Sequence, residues 1–378
     1  MDHLILQIYS QAAASHVDII TRQKLLVENL DRIFADRGDV ETWEYHGKSN
    51  SLKEFVITSV ADFNRMCMEA HSLGGRSFFI TQVHSWSRLQ VTARLLLHIV
   101  YCHQITPLML DFLHCFGAKV TGEDNPYYGT FYARFSGPAG ATGVPTNPHY
   151  GMLRYPSRYF VGPSFIYVDF CCHLRRFEKH GNSKLKDPWS LRQMTACQRF
   201  DIVNQTSTWI FIKPMEHFQK NFRVLLSGDQ RNNPMAPHLL CLTMASENWR
   251  WYVDFLRRRL GEFVEKATFA SFNASKLNYD ISLVDSQRLS TLESKVTVAI
   301  AVLEQNLAIG RGMQRHCQRL WRIKGLNIDH GLQETTESDI EMQLTHLDLH
   351  KTSCELLLQR IQGTCSMVHS SCCINCLS

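Results

Sequence analysis

The sequence lacks an apolar run long enough to cross a membrane. A spanning helix needs about 20 consecutive apolar residues, and the nearest candidates, LLLHIVYC (95–102) and FIYVDFCC (165–172), are far shorter. The first residues, MDHLILQIYS, place Asp2 where a signal peptide carries positive charge, and their apolar segment is short for such a signal. We therefore expect a cytoplasmic chain without a transmembrane helix.

Motifs of the common enzyme classes are also missing. No Gly-x-Ser-x-Gly, His-Glu-x-x-His or nucleotide fingerprint occurs. The loop GPAGATGVPTNP (137–148) is rich in glycine, but it lacks the Gly-Lys-Ser/Thr ending that cradles phosphate, which favours a long surface loop. The run Cys171-Cys172-His173 lies in an apolar segment without an evident acid to orient the histidine. We predict that the chain is not an enzyme.

Concentrated charge and regularly paired cysteines are absent too. The formal net charge of +5 is modest for 378 residues, so we expect no nucleic-acid partner. The 13 cysteines are an odd number, and most stand alone in apolar runs. This pattern indicates a reducing compartment rather than a disulfide scaffold.

Two groups of cysteine and histidine nevertheless have metal-ligand spacing. Cys373 and Cys376 form a Cys-x-x-Cys pair beside Cys372, which suits metal binding, redox chemistry or lipidation, or else belongs to an unstructured tail. His98 and Cys102 share one helix face, a geometry that zinc ligands sometimes use. The leucines around them favour a core helix instead.

The distribution of apolar residues indicates a mixed α/β region. With 44% hydrophobic residues the chain can bury a sizeable core, and its length suggests two domains. RSFFITQV (76–83) and FIYVDFCC are typical of strands, while residues 15–34 show helical spacing. Two extended runs, LRQMTACQRF and STWIFIKP, flank the polar segment DIVNQT, which predicts a β-hairpin.

The last third of the sequence predicts two long helices. Between 285 and 321, apolar residues recur near every 3.5 positions, which indicates a helix with a coiled-coil-like seam containing Leu289, Leu292, Val296 and Leu303. A second helix is expected to begin at a capping box at Ser338 and to end at Gly363.

Three segments resemble the fungal CorA-like magnesium transporter family. Residues 76–117 resemble its strand–helix–helix opening, and residues 283–313 resemble its long helix. DPWSLRQMTACQRFD with STWIFIKP resembles its "DPWSIRQTGVYQKFD … WI" hairpin, the most specific of the three matches. The diagnostic positions of the hairpin are Trp189, Arg192, Gln193, Phe200, Asp201 and Trp209.

The resemblance implies a cytoplasmic α/β domain that leads through a stalk helix into two membrane helices of a pentamer, with a Gly-Met-Asn motif at the pore. This sequence contains no Gly-Met-Asn, and Gly312-Met313-Gln314 stands among basic residues without an apolar run before it. No apolar span follows Ile361 either. We therefore expect a family member truncated before its transmembrane helices, and membrane-associated only if a full-length form carries them.

Acidic residues between 325 and 350 are the candidates for cation sensing. The resemblance implies that Mg²⁺ is sensed through carboxylates between subunits, and carboxylate oxygens are ligands that suit this ion. A solvated, acidic helix start would explain the same residues without any ion. We expect no cofactor beyond weak binding of Mg²⁺, at Glu334, Glu337, Asp339 and Glu341.

The predicted fold class is α+β. It comprises an N-terminal helical or linker region (1–74), an α/β head (75–270), a helical stalk (280–361) and a cysteine-rich, unstructured tail (362–378). The predicted function is the cytoplasmic regulatory and oligomerising domain of a divalent-cation transporter, without its pore. The seam would join copies into a homo-oligomer, or join the chain to full-length relatives. The alternative is a soluble interaction module that modulates those relatives.

Overall fold

The computed structural model describes most of the chain. The described residues are 4–5, 8, 19–46, 51–69, 75–119, 131–136, 167–182, 184–185, 187–270, 283–323, 326 and 328–375. The predicted surface loop 137–148 and Cys376 lie outside them, as do the side chains of Cys372 and Cys373.

Within the described residues, seven strands form one mixed sheet in the order β2-β1-β3-β7-β6-β5-β4. The neighbours β3 and β7 run parallel, whereas the pairs β1–β2, β1–β3, β4–β5 and β6–β7 are antiparallel. The strands are β1 (Val40–His46), β2 (Ser51–Ile57), β3 (Gly75–Ile80), β4 (Phe131–Ser136), β5 (Tyr167–Lys179), β6 (Trp189–Asp201) and β7 (Thr206–Ile212).

Helices precede, interrupt and follow the strands, which confirms the α+β class. None of the described helices combines the length and the apolar character that a membrane span requires. The helices are α1 (Ile19–Glu28), α2 (Leu30–Ile33), α3 (Val60–Glu69), α4 (Ala93–Cys102), α5 (Met109–Phe112), α6 (Phe218–Ser227), α7 (Ala236–Ser246), α8 (Trp249–Ala270), α9 (Leu283–Leu320) and α10 (His330–Asn375).

The strand β3 is buried because both faces of the sheet are covered at this point. Successive side chains of a strand point to opposite faces. Phe78 accordingly packs against Phe63 of α3, with 6.2 Å between ring centroids. The next residue, Phe79, packs on the other face against Trp43 and Phe222. A strand buried on both faces reads as a continuous apolar run, which is why FFI was recognisable in the sequence.

The hairpin predicted from LRQMTACQRF and STWIFIKP is confirmed. The strands β6 and β7 pair in register from Thr195 opposite Ile212 to Asp201 opposite Thr206. The carboxylate of Asp201 fixes the turn, because its Oδ1 accepts from the backbone N–H groups of Val203 and Asn204 at 2.9 and 3.0 Å. Such local acceptance by an Asp side chain is a common way to build a tight turn.

The N-terminal region (1–74), predicted as helical or linker, contains the helices α1, α2 and α3 and also contributes β1 and β2 to the sheet. The strand β1 reads VETWEYH, and its two glutamates conceal the apolar pattern of a strand. Glu44 is nevertheless buried, because its Oε1 accepts from Nε and Nη2 of Arg76 at 3.1 and 3.0 Å. A partner 32 positions away cannot be inferred from local pattern.

The chain divides into two compact units, and each is assembled from separate segments. The first comprises 1–174, 193–241 and 311–340, and the second comprises 175–192, 242–310 and 341–378. These units do not coincide with the predicted head (75–270) and stalk (280–361), because the long helices contribute residues to both units.

In the second unit, α9 and α10 pack antiparallel. Lys351 of α10 pairs with Glu304 of α9 at 3.5 Å, and Gln362 further along α10 contacts Glu293 earlier on α9 at 3.2 Å. The predicted association seam on α9 faces this chain's own atoms, since its side chains are at most 5% exposed. These are Leu289, Leu292, Val296 and Leu303. Their prediction as an intermolecular surface is a misassignment, because a buried side chain has no surface to offer a second copy.

The boundaries predicted for α10 are wrong at both ends. The helix begins at His330, eight residues before Ser338, and Oδ1 of Asp329 accepts from the N–H of Leu332 at 3.2 Å. It continues through Gly363 to Asn375, so 362–375 is helix rather than an unstructured tail. A glycine inside a helix costs only about 1 kcal/mol, which the neighbouring residues of a long helix offset.

A buried asparagine joins α9 to the end of β5 within the second unit. Asn306 is fully buried, and its Oδ1 accepts from the N–H of Arg175 at 3.3 Å while its Nδ2 donates to the Arg175 carbonyl at 2.7 Å. The side-chain amide thus takes the place that a neighbouring strand would occupy. Arg175 also donates from Nε to Oε1 of Gln305 at 2.8 Å.

Replacing Asn306 by alanine should destabilise the protein by about 2–6 kcal/mol, because two buried backbone groups lose their partners at about 1–3 kcal/mol each. Chemical denaturation would measure the loss. The matched control is Gln318→Ala at an exposed position of the same helix, which should change the free energy of unfolding by less than about 0.5 kcal/mol. Equal effects of the two substitutions would contradict this account of Asn306.

Candidate functional site

The diagnostic residues of the hairpin lie in structural positions. Gln193 donates from Nε2 to the carbonyl of Cys115 at 2.5 Å. Phe200 and Trp209 are buried, and the Trp209 ring stacks on Phe211 with 5.3 Å between centroids. Together with Asp201 in the turn, these side chains hold strands and neighbouring segments together. They present no base or nucleophile to solvent.

The start of β6 is anchored in the second unit. The N–H of Trp189 donates to Oδ1 of Asp187 at 2.9 Å, and the Asp187 carboxylate also pairs with Lys295 of α9. The Trp189 ring packs against Tyr252 of α8 with 5.3 Å between centroids. Arg192, the remaining diagnostic residue, is partly buried. The Asp-Pro-Trp opening is therefore a strand start fixed to two helices.

The first unit contains a series of buried polar side chains in contact with one another, which the sequence did not predict. Oε1 of Gln198 accepts from Nε2 of His238 at 3.1 Å, and Nε2 of Gln198 donates to the Ser207 hydroxyl at 2.8 Å. On its other side, Nδ1 of His238 lies 3.8 Å from Sγ of Cys172. The amide–imidazole contact fixes the tautomer, because Nε2 must carry the proton that Gln198 accepts.

This Cys172–His238 pair has the composition of a nucleophilic dyad, but its environment opposes that chemistry. Burial holds the pKa of the Cys172 thiol far above its ordinary value, so the thiolate is not formed. Burial, with a smaller contribution from His316, lowers the pKa of His238 well below its usual value. Both side chains are fully buried, so a substrate cannot reach them. The pair is a packing contact.

The four predicted cation-sensing carboxylates do not converge within one chain. All lie on α10, where Glu334, Glu337 and Glu341 share a face at spacings of three and four, while Asp339 points elsewhere. Glu334 is exposed and pairs with His330 at 3.5 Å. Among the described residues, no group of three or more His, Cys, Asp or Glu side chains could hold a metal ion.

One side of the α10 stretch that carries these carboxylates packs against other segments of the chain. Thr336 is buried, and its hydroxyl accepts from Nδ2 of Asn233 at 2.8 Å. Ile340, one turn later, is buried too. This stretch of α10 therefore directs Glu334 and Glu341 to solvent, where another molecule could meet them.

The predicted pair of His98 and Cys102 is in contact, and the described part of the chain adds no His, Cys, Asp or Glu to complete a metal site. Nε2 of His98 lies 3.5 Å from Sγ of Cys102 and 3.2 Å from Oδ1 of Asn64. Burial raises the pKa of the Cys102 thiol to about 12, which disfavours the thiolate that a metal would need. The interpretation as a core helix is the one that the packing of α4 favours.

The Gly312-Met313-Gln314 string lies where α9 packs closely on β4. A Cβ added at Gly312 would lie 2.6 Å from Cδ1 of Phe131. Gly312 therefore permits α9 to approach β4 closely, and Met313 beside it is fully buried. The three residues are inside a helix of the first unit rather than at the end of an apolar span.

The family model of CorA-like transporters matches residues 8–141 and 153–268, about two thirds of the chain. The chain belongs to the CorA-like transporter family. No curated protein sequence matches it.

Two solved structures resemble this CorA-like chain. The ZntB cytoplasmic domain from Vibrio parahaemolyticus is 8% identical, with 86% of this chain and 98% of that one covered and a TM-score of 0.37. The full-length CmaX protein is 11% identical, with 87% and 79% covered and a TM-score of 0.41.

The CorA-like match and the hairpin resemblance coincide. The matched residues include β1 and β2, and they include the whole of β6 and β7. The match ends within α8, so α9 and α10 lie outside it. The resemblance of residues 283–313 to the long helix of the family stays a prediction.

Gly312→Ala should destabilise this CorA-like chain by about 1–3 kcal/mol, because the new methyl group overlaps the Phe131 ring in a packed region. The matched control is Gly363→Ala, where a Cβ meets nothing within 4 Å and alanine should stabilise the helix by up to about 1 kcal/mol. Urea denaturation of the two variants would measure both changes. Stabilisation by both substitutions would contradict the close approach of α9 to β4.

Proposed function

We propose that this chain is the cytoplasmic regulatory and oligomerising domain of a CorA-like divalent-cation transporter, with Mg²⁺ as the ion. The family match over the sheet and its helices carries the proposal. The two long helices after the matched region support it, because a helical extension is where the family resemblance places the path to the membrane.

A stripe of apolar side chains on α10 supports self-association. It consists of Met342, Leu349 and Leu356, which recur every seven residues and are 46%, 61% and 57% exposed. Apolar residues at this spacing form the seam of a coiled coil. The stripe, unlike the buried seam on α9, has surface to offer a second copy of the chain or a full-length relative.

Leu349→Asp combined with Leu356→Asp should abolish self-association, because each copy would bring charges into an apolar seam. Sedimentation velocity of the purified chain at micromolar concentrations measures the assembly. The matched control is Val56→Asp combined with Val224→Asp, two positions that are 65% and 64% exposed outside α10. This control should leave the assembly intact.

A wild-type chain that stays monomeric at all concentrations would contradict the oligomerising role. If such a monomer nevertheless co-purified with full-length CorA-like relatives, the soluble interaction module would be the better description. In that case the same double substitution on α10 should weaken the co-purification.

The carboxylates of α10 support a sensing role if copies associate. Glu334 and Glu341 face solvent on the same helix as the apolar stripe. Carboxylates brought together from different chains would form an oxygen-rich site of the kind that Mg²⁺ occupies with several of its waters retained.

Removing the four carboxylates should eliminate saturable Mg²⁺ binding, because the ion loses its charged ligands. The variant is Glu334→Gln, Glu337→Gln, Asp339→Asn and Glu341→Gln, and isothermal titration in the millimolar range measures the heat. Glu262→Gln with Glu265→Gln on α8 serves as a control and should retain the wild-type heat. Absence of saturable heat in the wild-type oligomer would refute the sensing role.

A further inference from the structure

An aromatic pocket in the first unit holds a histidine from the C-terminal part of α9. The side chain of His316 is 4% exposed, and its ring lies 4.4 Å from Phe170 of β5 and 4.8 Å from Phe135 of β4, measured between centroids. Phe131 of β4 is 6.4 Å away and also contacts Gly312. Residues 311–320 are therefore docked on β4 and β5 through a glycine and a histidine.

The imidazole of His316 is not satisfied in this pocket. Its Nε2 is buried and has no hydrogen-bond partner among the described residues. A buried polar atom without a partner costs about 1–3 kcal/mol. Phenylalanine or leucine would fill an aromatic pocket without this cost, so the presence of a titratable side chain requires an explanation.

The charged group beside His316 opposes a positive charge on its ring. On its own helix, Arg319 lies over the Phe135 ring at 4.5 Å. From α7, the His238 ring packs against Phe170 at a tilt, with 4.0 Å between centroids, and from β5 the Cys172 thiol contacts His238. The strand β4 contributes aromatic rings. No carboxylate pairs with His316 among the described residues.

These surroundings keep the docked histidine neutral. Burial, followed by the charge of Arg319, lowers the pKa of His316 to about 3. A histidine in water has a pKa of about 6.5. As the pH falls below about 6.5, the released histidine therefore binds a proton, whereas the docked histidine stays neutral. Acidification thus favours the released state.

We propose that His316 is a pH-sensitive latch, which holds residues 311–320 on β4 and β5 at neutral pH and releases them as the pH falls. The latch is a conformational device: release uncovers the aromatic surface formed by Phe131, Phe135 and Phe170. From pH 7.5 to pH 5.5, the ratio of released to docked segment should rise about tenfold, since one proton is linked to release.

Hydrogen–deuterium exchange of the full chain tests the latch. Exchange is followed in peptides that cover 311–320, at pH 7.5 and 5.5, with correction for the intrinsic effect of pH on exchange. The wild type should show the tenfold rise. His316→Phe should show no rise, because the pocket then holds a ring that cannot be protonated. His330→Gln, at an exposed position, is the matched control and should keep the wild-type response.

Peptides from β3 report global unfolding in the same experiment. A rise in β3 by the same factor as in 311–320 would overturn the latch, since the whole unit would then be opening. Persistence of the tenfold rise in His316→Phe, or its absence in the wild type, would overturn it as well. If His316→Phe does not fold, His316→Leu is tested against the same expectations, and His316→Gln provides a polar side chain that does not titrate.

Discussion

Polar side chains of β6 point into the interior, and they must find hydrogen-bond partners there. The rest of the structure depends on this requirement. An unpaired amide or imidazole in the interior costs a large share of the few kcal/mol by which a domain is stable. Gln193 meets a backbone carbonyl, Gln198 meets His238 and Ser207, and Asp201 closes the turn into β7. Each partner comes from a different segment, so the strand specifies which segments lie beside it.

This constraint explains why the polar residues of β6 and their neighbours on β5 and α7 resemble an active site without being one. Polar side chains in close contact are expected both in a reaction site and in a satisfied core. Two observations distinguish these cases here. Cys172 and His238 are fully buried, and burial shifts both pKa values towards the neutral forms. A transporter family without a catalytic site is consistent with such a core.

The sequence revealed elements whose signal is local. The β6–β7 hairpin was predictable from two extended runs around a polar turn, and α9 was predictable from a recurrence of apolar residues. The strands β1 and β2 were missed, because their glutamates and lysine hide the alternation and the partner of Glu44 lies far along the chain. The seam on α9 was recognised as apolar, but periodicity does not tell which partner covers a helix, and here it is the chain itself. The acidic residues were easy to find in sequence, whereas only the structure shows that they do not converge in one chain.

A double-mutant cycle on Gln198 and His238 tests most directly whether the polar residues of β6 stabilise the fold through their partners. The free energies of unfolding would be measured by chemical denaturation for Gln198→Leu, His238→Leu and the double variant. The hydrogen bond at 3.1 Å predicts that the double variant loses less than the sum of the single losses, with a coupling energy of about 1–2 kcal/mol. Losses that add within about 0.3 kcal/mol would contradict the account.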